Sequence, residues 1–283
     1  MRNRLLCWVS GLLFAFTLPA AKAGMKVMTF NVMCSFCAHN DEIGKLRERL
    51  PGIADTINRH SPDLASLQEL FTGAQARRLR RLLTDEYEMI HVRGLVGYAD
   101  PTLLVRKSRF RVGKTGGFWL GPNAPDFNFG WSIAYPRRVE WDELEDRFTG
   151  IKFAFAGTHF DNNRKNKTPS AKLVVEEFIG GDHLVIFAGD SNLVPGTEGY
   201  VTLAGGFRDT FTEVANHPYI SNGPTENSDG CNLSKGSIFP ACRIDHVLLS
   251  PNSPWRTKSW SVDTFRYKRG FVSDHRAVVV ELE

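Results

Sequence analysis

The chain has 283 residues, of which 42% are hydrophobic and 23% charged, with 25 glycines and 14 prolines. This composition excludes a disordered chain, a collagen-like repeat and a small disulfide-dense scaffold. The 35 basic residues outnumber the 31 acidic ones, but Arg2, Arg4 and Lys22 lie in the first 23 positions, which contain no acid. Without them the balance is 32 to 31, so net charge alone does not indicate a polyanionic partner.

The first 23 residues have the three-part pattern of a secretory signal. Residues 1–4 carry positive charge, residues 5–18 form an apolar run, and Ala21 and Ala23 are the small residues of a cleavage site. The run of 14 apolar residues is shorter than the roughly 20 that a membrane-spanning helix needs. We therefore predict cleavage after Ala23, a secreted or periplasmic location and one mature domain, residues 24–283. An uncleaved anchor or a buried helix is the alternative.

Apolar segments of strand length recur along the rest of the chain, with helical patterns between them. Leu46, Leu50, Ile53 and Ile57 are spaced four, three and four apart, which predicts one face of a helix across Pro51. The predicted helices are 46–57, 74–83 and 170–179. The predicted strands are 26–31, 64–68, 102–105, 138–144, 152–158, 184–188, 244–249 and 277–282. This alternation predicts an α/β fold.

Two segments rich in Gly, Pro and Asn, residues 121–135 and 217–243, are too long to be simple turns. Unstructured segments of this length within a compact domain are commonly functional. The second segment holds Cys231 and Cys242, and a cross-link within it would explain both residues.

Four cysteines follow the leader: Cys34, Cys37, Cys231 and Cys242. An even number in an exported chain predicts disulfides, and four cysteines allow three connectivities. The first pair also has the spacing of a redox motif or of half a zinc site. Both alternatives are weaker, because the second pair is spaced by eleven and no strand-to-helix redox context surrounds the first.

Polar side chains collect at the ends of the predicted strands, which would bring them to one rim of a sheet. Carboxylate and carboxamide oxygens suit Mg²⁺, Mn²⁺ or Ca²⁺, whereas a zinc cage would need more histidine or thiolate ligands. These residues are Asn31, Glu69, His159, Asp190, Asn192, Asp245, Asp274 and His275.

The ordered series of short motifs around these residues resembles the endonuclease/exonuclease/phosphatase superfamily of metal-dependent phosphoesterases. The matching blocks are Thr29-Phe30-Asn31, Leu67-Gln68-Glu69, Gly157-Thr158-His159, Gly189-Asp190-Ser191-Asn192, Ile244-Asp245-His246 and Ser273-Asp274-His275. They occur in the order of the family and cover the mature chain nearly end to end. The resemblance implies a four-layer α/β sandwich, in which two packed mixed β-sheets are flanked by helices and the site lies at one end.

The resemblance also implies a metal centre. Glu69 would be the principal ligand, Asn31 would lie beside it and hold metal or phosphate, and Asp274 would complete the shell. The expected cofactor is Mg²⁺ or Mn²⁺. An exported protein also meets ambient calcium, so a structural Ca²⁺ is a further possible ligand.

The same resemblance implies catalytic roles for five further residues. Asp190 and Asn192 would orient the attacking water and the phosphoryl oxygens. His275, aligned by Asp245, would act as general base or as a phosphate-stabilising cation. His159 would assist from the opposite side by protonating the leaving oxygen or stabilising charge. These roles agree with what phosphodiester hydrolysis requires, namely an in-line water, a proton acceptor and positive charge.

Two of the histidines in the matching blocks have different expected roles, one in the site and one in packing. Histidine at position 159 resembles pancreatic-type deoxyribonucleases and bacterial sphingomyelinases, whereas abasic-site endonucleases carry tyrosine there. His246 alternates with Asp245 along its strand and is expected to point to the opposite face and pack.

The substrate is predicted from the charges near the rim. Arg137, together with Arg164 in the basic segment 162–167, would bind phosphates, and residues 77–81 would add four arginines or simply form a solvated helix face. These features favour a nuclease that acts on DNA. We expect it to act as a monomer, without an obligate protein partner.

Three alternatives remain for the function. Aromatic residues of segment 121–135 could enter a lipid interface, as in a sphingomyelinase-like enzyme that binds a lipid headgroup, although covering the core is the preferred interpretation for them. These aromatics are Phe127, Phe129, Trp131 and Tyr135. The protein could instead be a small-molecule phosphatase, or a family member that binds without catalysis.

Overall fold

The computed structural model describes residues 24–37, 44–91, 100–133, 135–181, 183–214, 243–268 and 270–283. The strands are β1 (Met25–Asn31), β2 (Leu64–Gln68), β3 (Tyr87–Ile90), β4 (Thr102–Arg106), β5 (Phe110–Trp119), β6 (Arg138–Asp146), β7 (Lys152–His159), β8 (Val185–Asp190), β9 (Arg208–Asp209), β10 (Asp245–Leu249), β11 (Thr257–Val262) and β12 (Val278–Leu282). The helices are α1 (Leu46–His60), α2 (Gly73–Arg80), α3 (Arg164–Phe178) and α4 (Glu198–Gly206). The predicted signal and its cleavage site lie outside the described residues.

The strands form two six-stranded mixed sheets. The first has the order β11-β12-β1-β2-β4-β3, and the second has the order β5-β6-β7-β8-β10-β9. Each sheet has a parallel pair near its centre, β1 with β2 and β7 with β8, and its other neighbouring strands are antiparallel. The carboxyl ends of each parallel pair therefore lie at the same edge of their sheet.

Three buried apolar layers hold the domain together. The central layer lies between the two sheets and includes Val27 and Phe155. A second layer packs α1 and α2 on the first sheet, and a third packs α3 and α4 on the second sheet. The predicted four-layer α/β sandwich is thus confirmed. None of the described helices is long and apolar enough to cross a membrane.

All eight predicted strands and all three predicted helices are present; β2 has the predicted bounds and the other elements have shifted ends. The predicted helix 170–179 begins earlier, at Arg164, because the side chain of Asn163 accepts a hydrogen bond from the Lys165 amide and caps the first turn. The predicted helix 74–83 ends earlier, at Arg80, and Leu82 beyond its end is 42% exposed.

The elements that the pattern did not predict are β3, β5, β9, β11 and α4. β5 illustrates the reason, since its central residues include Gly113 and Gly116 and are mostly exposed at a sheet edge. An exposed edge strand has little need of alternating apolar residues, so hydrophobic periodicity is weak there.

Candidate active site

Strand ends from both sheets meet at one edge of the sandwich. β1 and β2 end together at the paired residues Asn31 and Gln68, and β7 and β8 end together at His159 and Asp190. β10 runs antiparallel to β8, so its first residue, Asp245, lies opposite Asp190. The polar residues that the sequence places at strand ends therefore converge, as predicted.

Asp190 lies at the centre of this group. Its Oδ2 atom accepts a hydrogen bond from Asn31 Nδ2 at 3.1 Å, and it lies 3.3 Å from His159 Nε2 and 3.7 Å from His275 Nε2. Burial opposes ionisation of Asp190, but the two imidazoles hold the pKa of its carboxyl well below the usual range. Asp190 is therefore an anion that both imidazole rings face.

Glu69 lies across Asn31 from Asp190. Asn31 Nδ2 donates to Glu69 Oε1 at 3.1 Å, and the Cys34 amide donates to Glu69 Oε2 at 2.6 Å. The amide of Glu69 donates to Asp100 Oδ1 at 3.0 Å, and Glu69 has a left-handed backbone with φ of 67°. Such a conformation is strained for a residue with a side chain and persists because these contacts fix it.

His275 is oriented by Asp245. Its Nδ1 atom lies 2.9 Å from Asp245 Oδ2. The loop before it is tied to β1, because Ser273 Oγ donates to the Asn31 carbonyl and accepts from the His275 amide. Burial lowers the pKa of His275, but Asp245 and Asp190 raise it well above the ordinary value. The ring is thus held by one carboxylate and aimed at another.

His159 has a corresponding partner in Asp100. Asp100 Oδ2 lies 2.7 Å from His159 Nδ1 and 2.9 Å from Arg137 Nη1, so this buried oxygen accepts from both groups. Burial and the Arg137 guanidinium lower the pKa of His159, but Asp100 and Asp190 together raise it to about 9. Arg137, predicted to bind substrate, lies against His159 at the site.

Asp100 is a site residue that sequence reasoning missed. It precedes Pro101 and the start of β4, and β4 is antiparallel to β2, with Thr102 paired to Leu67. The beginning of β4 therefore lies at the edge where β2 ends. An acidic residue just before a predicted strand was the available signal, but only topology shows which end of that strand reaches the site.

Arg49 was missed as well. This buried side chain of α1 donates to the carbonyls of Val32 and Met33 after β1, and to the carbonyl of Val272 in the loop that carries His275. Burial lowers the pKa of Arg49 to about 10, although Asp274 and Glu69 act to raise it. Arg49 thus joins the two loops on which site residues lie.

Three predicted residues lie around this centre with different contacts. The amide nitrogen of the Asn192 side chain donates to the Phe160 carbonyl, and the Asn192 backbone amide donates to Asp190 Oδ1. Asp274 is exposed, and its Oδ1 atom lies 3.2 Å from Ser273 Oγ. Arg164 is exposed on the first turn of α3, where no hydrogen bond or ion pair to described residues holds it.

The sequence profile of the Endonuclease/Exonuclease/phosphatase family matches residues 28–275. The chain belongs to this family. Enzymes of the family are hydrolytic phosphoesterases and generally use divalent metals.

Solved structures of family members share the fold. A mannosyl-6-phosphatase of Bacteroides thetaiotaomicron VPI-5482 aligns with a TM-score of 0.77 and 24% identity, covering 92% of this chain and 99% of the other. D. rerio TDP2, complexed with single strand DNA product, aligns with a TM-score of 0.69 and 18% identity, covering 92% of this chain and 99% of the other. The human Nocturnin catalytic domain, with bound sulfate anion, aligns with a TM-score of 0.68 and 17% identity, covering 92% of this chain and 94% of the other. Comparison with curated protein sequences finds no match.

The donor set of this family member fits a divalent cation. Ligand atoms of Asp190, Asp245 and His275 all lie within 4.8 Å of one another, and the Asn31 amide links Asp190 to Glu69. The carboxylates of Asp190 and Glu69 are hard oxygen ligands that suit Mg²⁺ or Mn²⁺, while Asp245 and His275 are bonded to each other. Asp274 lies outside this group of close ligand atoms.

Cys34 and Cys37 are joined by a disulfide, and both sulfur atoms lie beside the Glu69 carboxylate. The predicted disulfide candidates Cys231 and Cys242 lie outside the described residues. His246 is buried as expected, its Nε2 atom lies 2.9 Å from the Leu193 carbonyl, and burial with Arg243 lowers its pKa to about 4. It packs as a neutral ring behind the site.

Proposed function

We propose that this protein is an exported, divalent-metal-dependent phosphodiesterase whose principal substrate is DNA. The observation that carries the proposal is the arrangement of His159 and His275 on either side of Asp190. Each ring is held by a further carboxylate, Asp100 or Asp245, which fixes its orientation. Two oriented imidazoles at one carboxylate centre supply the acid and the base that phosphoester hydrolysis needs.

Glu69, Asn31 and Asp190 would hold Mg²⁺ or Mn²⁺, which when bound supplies positive charge to the phosphoryl oxygens. The predicted ligand Asp274 lies on the loop that Arg49 ties down, and its charge acts on the pKa of both Arg49 and His275. The described residues of one chain supply all of these groups, which supports action as a monomer.

The two histidines divide the proton transfers. His275, with its Nδ1 atom on Asp245, presents Nε2 toward Asp190, and its neutral form would take the proton of the attacking water. His159 presents its own Nε2 to the same oxygen from the other side, and its raised pKa keeps it able to donate a proton to the leaving oxygen. Asn192, whose backbone is bonded to Asp190, would orient the phosphoryl group.

A basic helix next to Glu69 supports DNA as the substrate. α2 begins four residues after Glu69. Its Gln75 side chain donates to Ser35 in the disulfide loop, residues 34–37. Arg77, Arg78 and Arg80 on this helix are exposed. Exposed arginines this close in the chain to a site residue favour a polyphosphate backbone over a single phosphate.

An apolar rim favours a second candidate, a lipid phosphodiesterase. Phe36, in the disulfide loop beside Glu69, is 67% exposed, and Tyr135, whose ring lies over Arg137, is 61% exposed. Phe129, Trp131 and Ile133, which lie with Tyr135 in the loop 121–135, are also exposed. The preferred sequence interpretation, that the aromatics of this loop cover the core, is wrong for Phe129, Trp131 and Tyr135. Phe127 is half-buried between Trp119 and Phe129.

The deciding experiment offers the purified protein three substrates with Mg²⁺ and again with EDTA. These are supercoiled plasmid, sphingomyelin vesicles and an activated phosphomonoester. We expect metal-dependent plasmid nicking that the His275→Ala variant lacks. Vesicle hydrolysis without nicking would transfer the proposal to lipid, and monoester hydrolysis alone would favour a small-molecule phosphatase, as in the mannosyl-6-phosphatase neighbour. No hydrolysis of any substrate would favour a non-catalytic binding member.

Export is tested separately, by expressing the full chain in a Gram-negative host and sequencing the amino terminus of the extracellular or periplasmic protein. A mature terminus at Gly24 is expected. A protein that keeps Met1 and stays in the cytosol would contradict the proposed export.

A further inference from the structure

The disulfide loop carries more potential ligands than the proposed chemistry uses. Cys34 and Cys37 have the two-residue spacing of a zinc-binding half site, and their sulfur atoms lie within 4.8 Å of a Glu69 carboxylate oxygen and of each other. The sulfur atom of Cys37 lies 3.3 Å from Glu69 Oε2. While the disulfide is closed, neither sulfur is a thiolate, so the group cannot bind a metal through sulfur.

We propose that opening the Cys34–Cys37 disulfide creates a Zn²⁺ site made of the two cysteine sulfurs and the Glu69 carboxylate. A dithiol or phosphine reductant supplies two electrons, the S–S bond breaks, and two protons give two thiols. Binding of Zn²⁺ then releases those two protons to solvent, and water completes a four-coordinate shell. Zinc rather than magnesium is the expected ion because thiolates are soft ligands.

The surroundings of the loop support a site that forms without refolding. Cys34 is buried and its backbone amide already bonds to Glu69, while Arg49 donates to the carbonyls of Val32 and Met33 just before it. On the far side of the loop, Ser35 accepts from Gln75. These contacts do not involve sulfur, so they persist when the disulfide opens.

The site shares Glu69 with the proposed catalytic metal centre, which couples the two. A zinc ion between the cysteines would take Glu69 Oε2, the oxygen that faces them, and so compete with the catalytic metal for the same carboxylate. Zinc should therefore inhibit hydrolysis in the reduced protein only, a consequence that rests on the proposed function. Disulfides persist in oxidising compartments and are reduced in the cytosol, so the zinc-binding form belongs to a reducing environment.

The test measures zinc binding without any substrate. The purified full chain is reduced with a phosphine, freed of reductant without air, and titrated with Zn²⁺ against a chromogenic chelator. Parallel titration with Co²⁺ reads the cobalt–thiolate charge-transfer absorption. We expect the reduced wild-type chain to bind one more equivalent than the Cys34→Ser/Cys37→Ser variant, and the oxidised chain to bind none of it. Glu69→Gln should weaken this binding at least about tenfold.

Other thiols are controlled with a Cys7→Ser/Cys231→Ser/Cys242→Ser background that keeps only Cys34 and Cys37. If that background fails to fold, the comparison of wild type with Cys34→Ser/Cys37→Ser decides alone. Equal zinc uptake by these two reduced proteins would overturn the proposal, as would loss of the folded circular dichroism spectrum on reduction. A chain that binds zinc but hydrolyses nothing would count against the proposed function and leave the zinc site standing.

Discussion

The carboxylate of Asp100 lies 2.7 Å from Nδ1 of His159, a residue 59 positions later in the chain. The other oxygen of the same carboxylate accepts the Glu69 amide. One buried acid thus joins the proposed leaving-group side of the site to the proposed metal side. Because it touches both, its removal should disturb proton transfer and metal geometry together.

Asp100→Asn should lower the pKa of His159 from about 9, since the carboxylate is the main group that raises it. Hydrolysis should fall about 10- to 100-fold, the usual effect of losing a partner that orients a site residue. Proton NMR titration of the metal-free protein measures the first effect, and kcat measures the second. Asp126→Asn, at an exposed residue of the 121–135 loop, is the matched control. An unshifted His159 titration would remove Asp100 from this role.

His275→Ala and His159→Ala should each reduce turnover by roughly 10²- to 10⁴-fold and leave the circular dichroism spectrum unchanged, because each removes one proton-transfer group. His183→Ala, an exposed residue that precedes β8 at the opposite end of that strand from Asp190, should retain full activity. A loss below tenfold for either site variant would exclude that histidine from the chemistry.

Glu69→Gln should weaken Mg²⁺ binding, because the substitution removes a negative charge and keeps the size of the side chain. We expect a rise in the Mg²⁺ dissociation constant of at least about tenfold by isothermal titration calorimetry. Glu86→Gln, at an exposed residue before β3, is the control. Superimposable Mg²⁺ titrations of wild type and Glu69→Gln would contradict the ligand role.

Asp142 should make stability depend on pH. It is fully buried in β6, neither carboxylate oxygen has a hydrogen-bond partner among the described residues, and burial together with Glu88 raises its pKa to about 7. An unfolded Asp titrates near pH 4, so between about pH 4 and 7 the folded state binds the extra proton and stability falls as pH rises. Asp142→Asn should remove this loss.

Urea unfolding of wild type and Asp142→Asn at pH 5, 6.5 and 8 measures the difference. Relative to wild type, the free energy of unfolding of the variant should increase as pH rises, by up to about 4 kcal/mol at pH 8. Glu140, whose pKa burial raises to about 8, leaves a residual slope in both proteins. Glu143→Gln, on the exposed face of the same strand, should run parallel to wild type. Parallel curves for Asp142→Asn would show that its carboxyl is not perturbed.

Much of the fold followed from local pattern. The strands that end at Asn31, Gln68, His159 and Asp190 are mostly apolar, because they lie in the interior of their sheets and are mostly buried on both faces. The edge strand β5 could not be found in this way, since only three of its ten residues are buried and they show no regular alternation.

The sequence by itself determined the family, the central strands and the residues that follow them, because side chains at the carboxyl ends of parallel strands meet wherever the sheet forms. The tertiary structure decided which further groups join them. Asp100 and Arg49 reach the site from the start of an antiparallel strand and from a helix on the outer layer. The exposure of Tyr135 was equally undetermined by the sequence. Whether such residues meet depends on the packing of segments distant in sequence, which no local periodicity records.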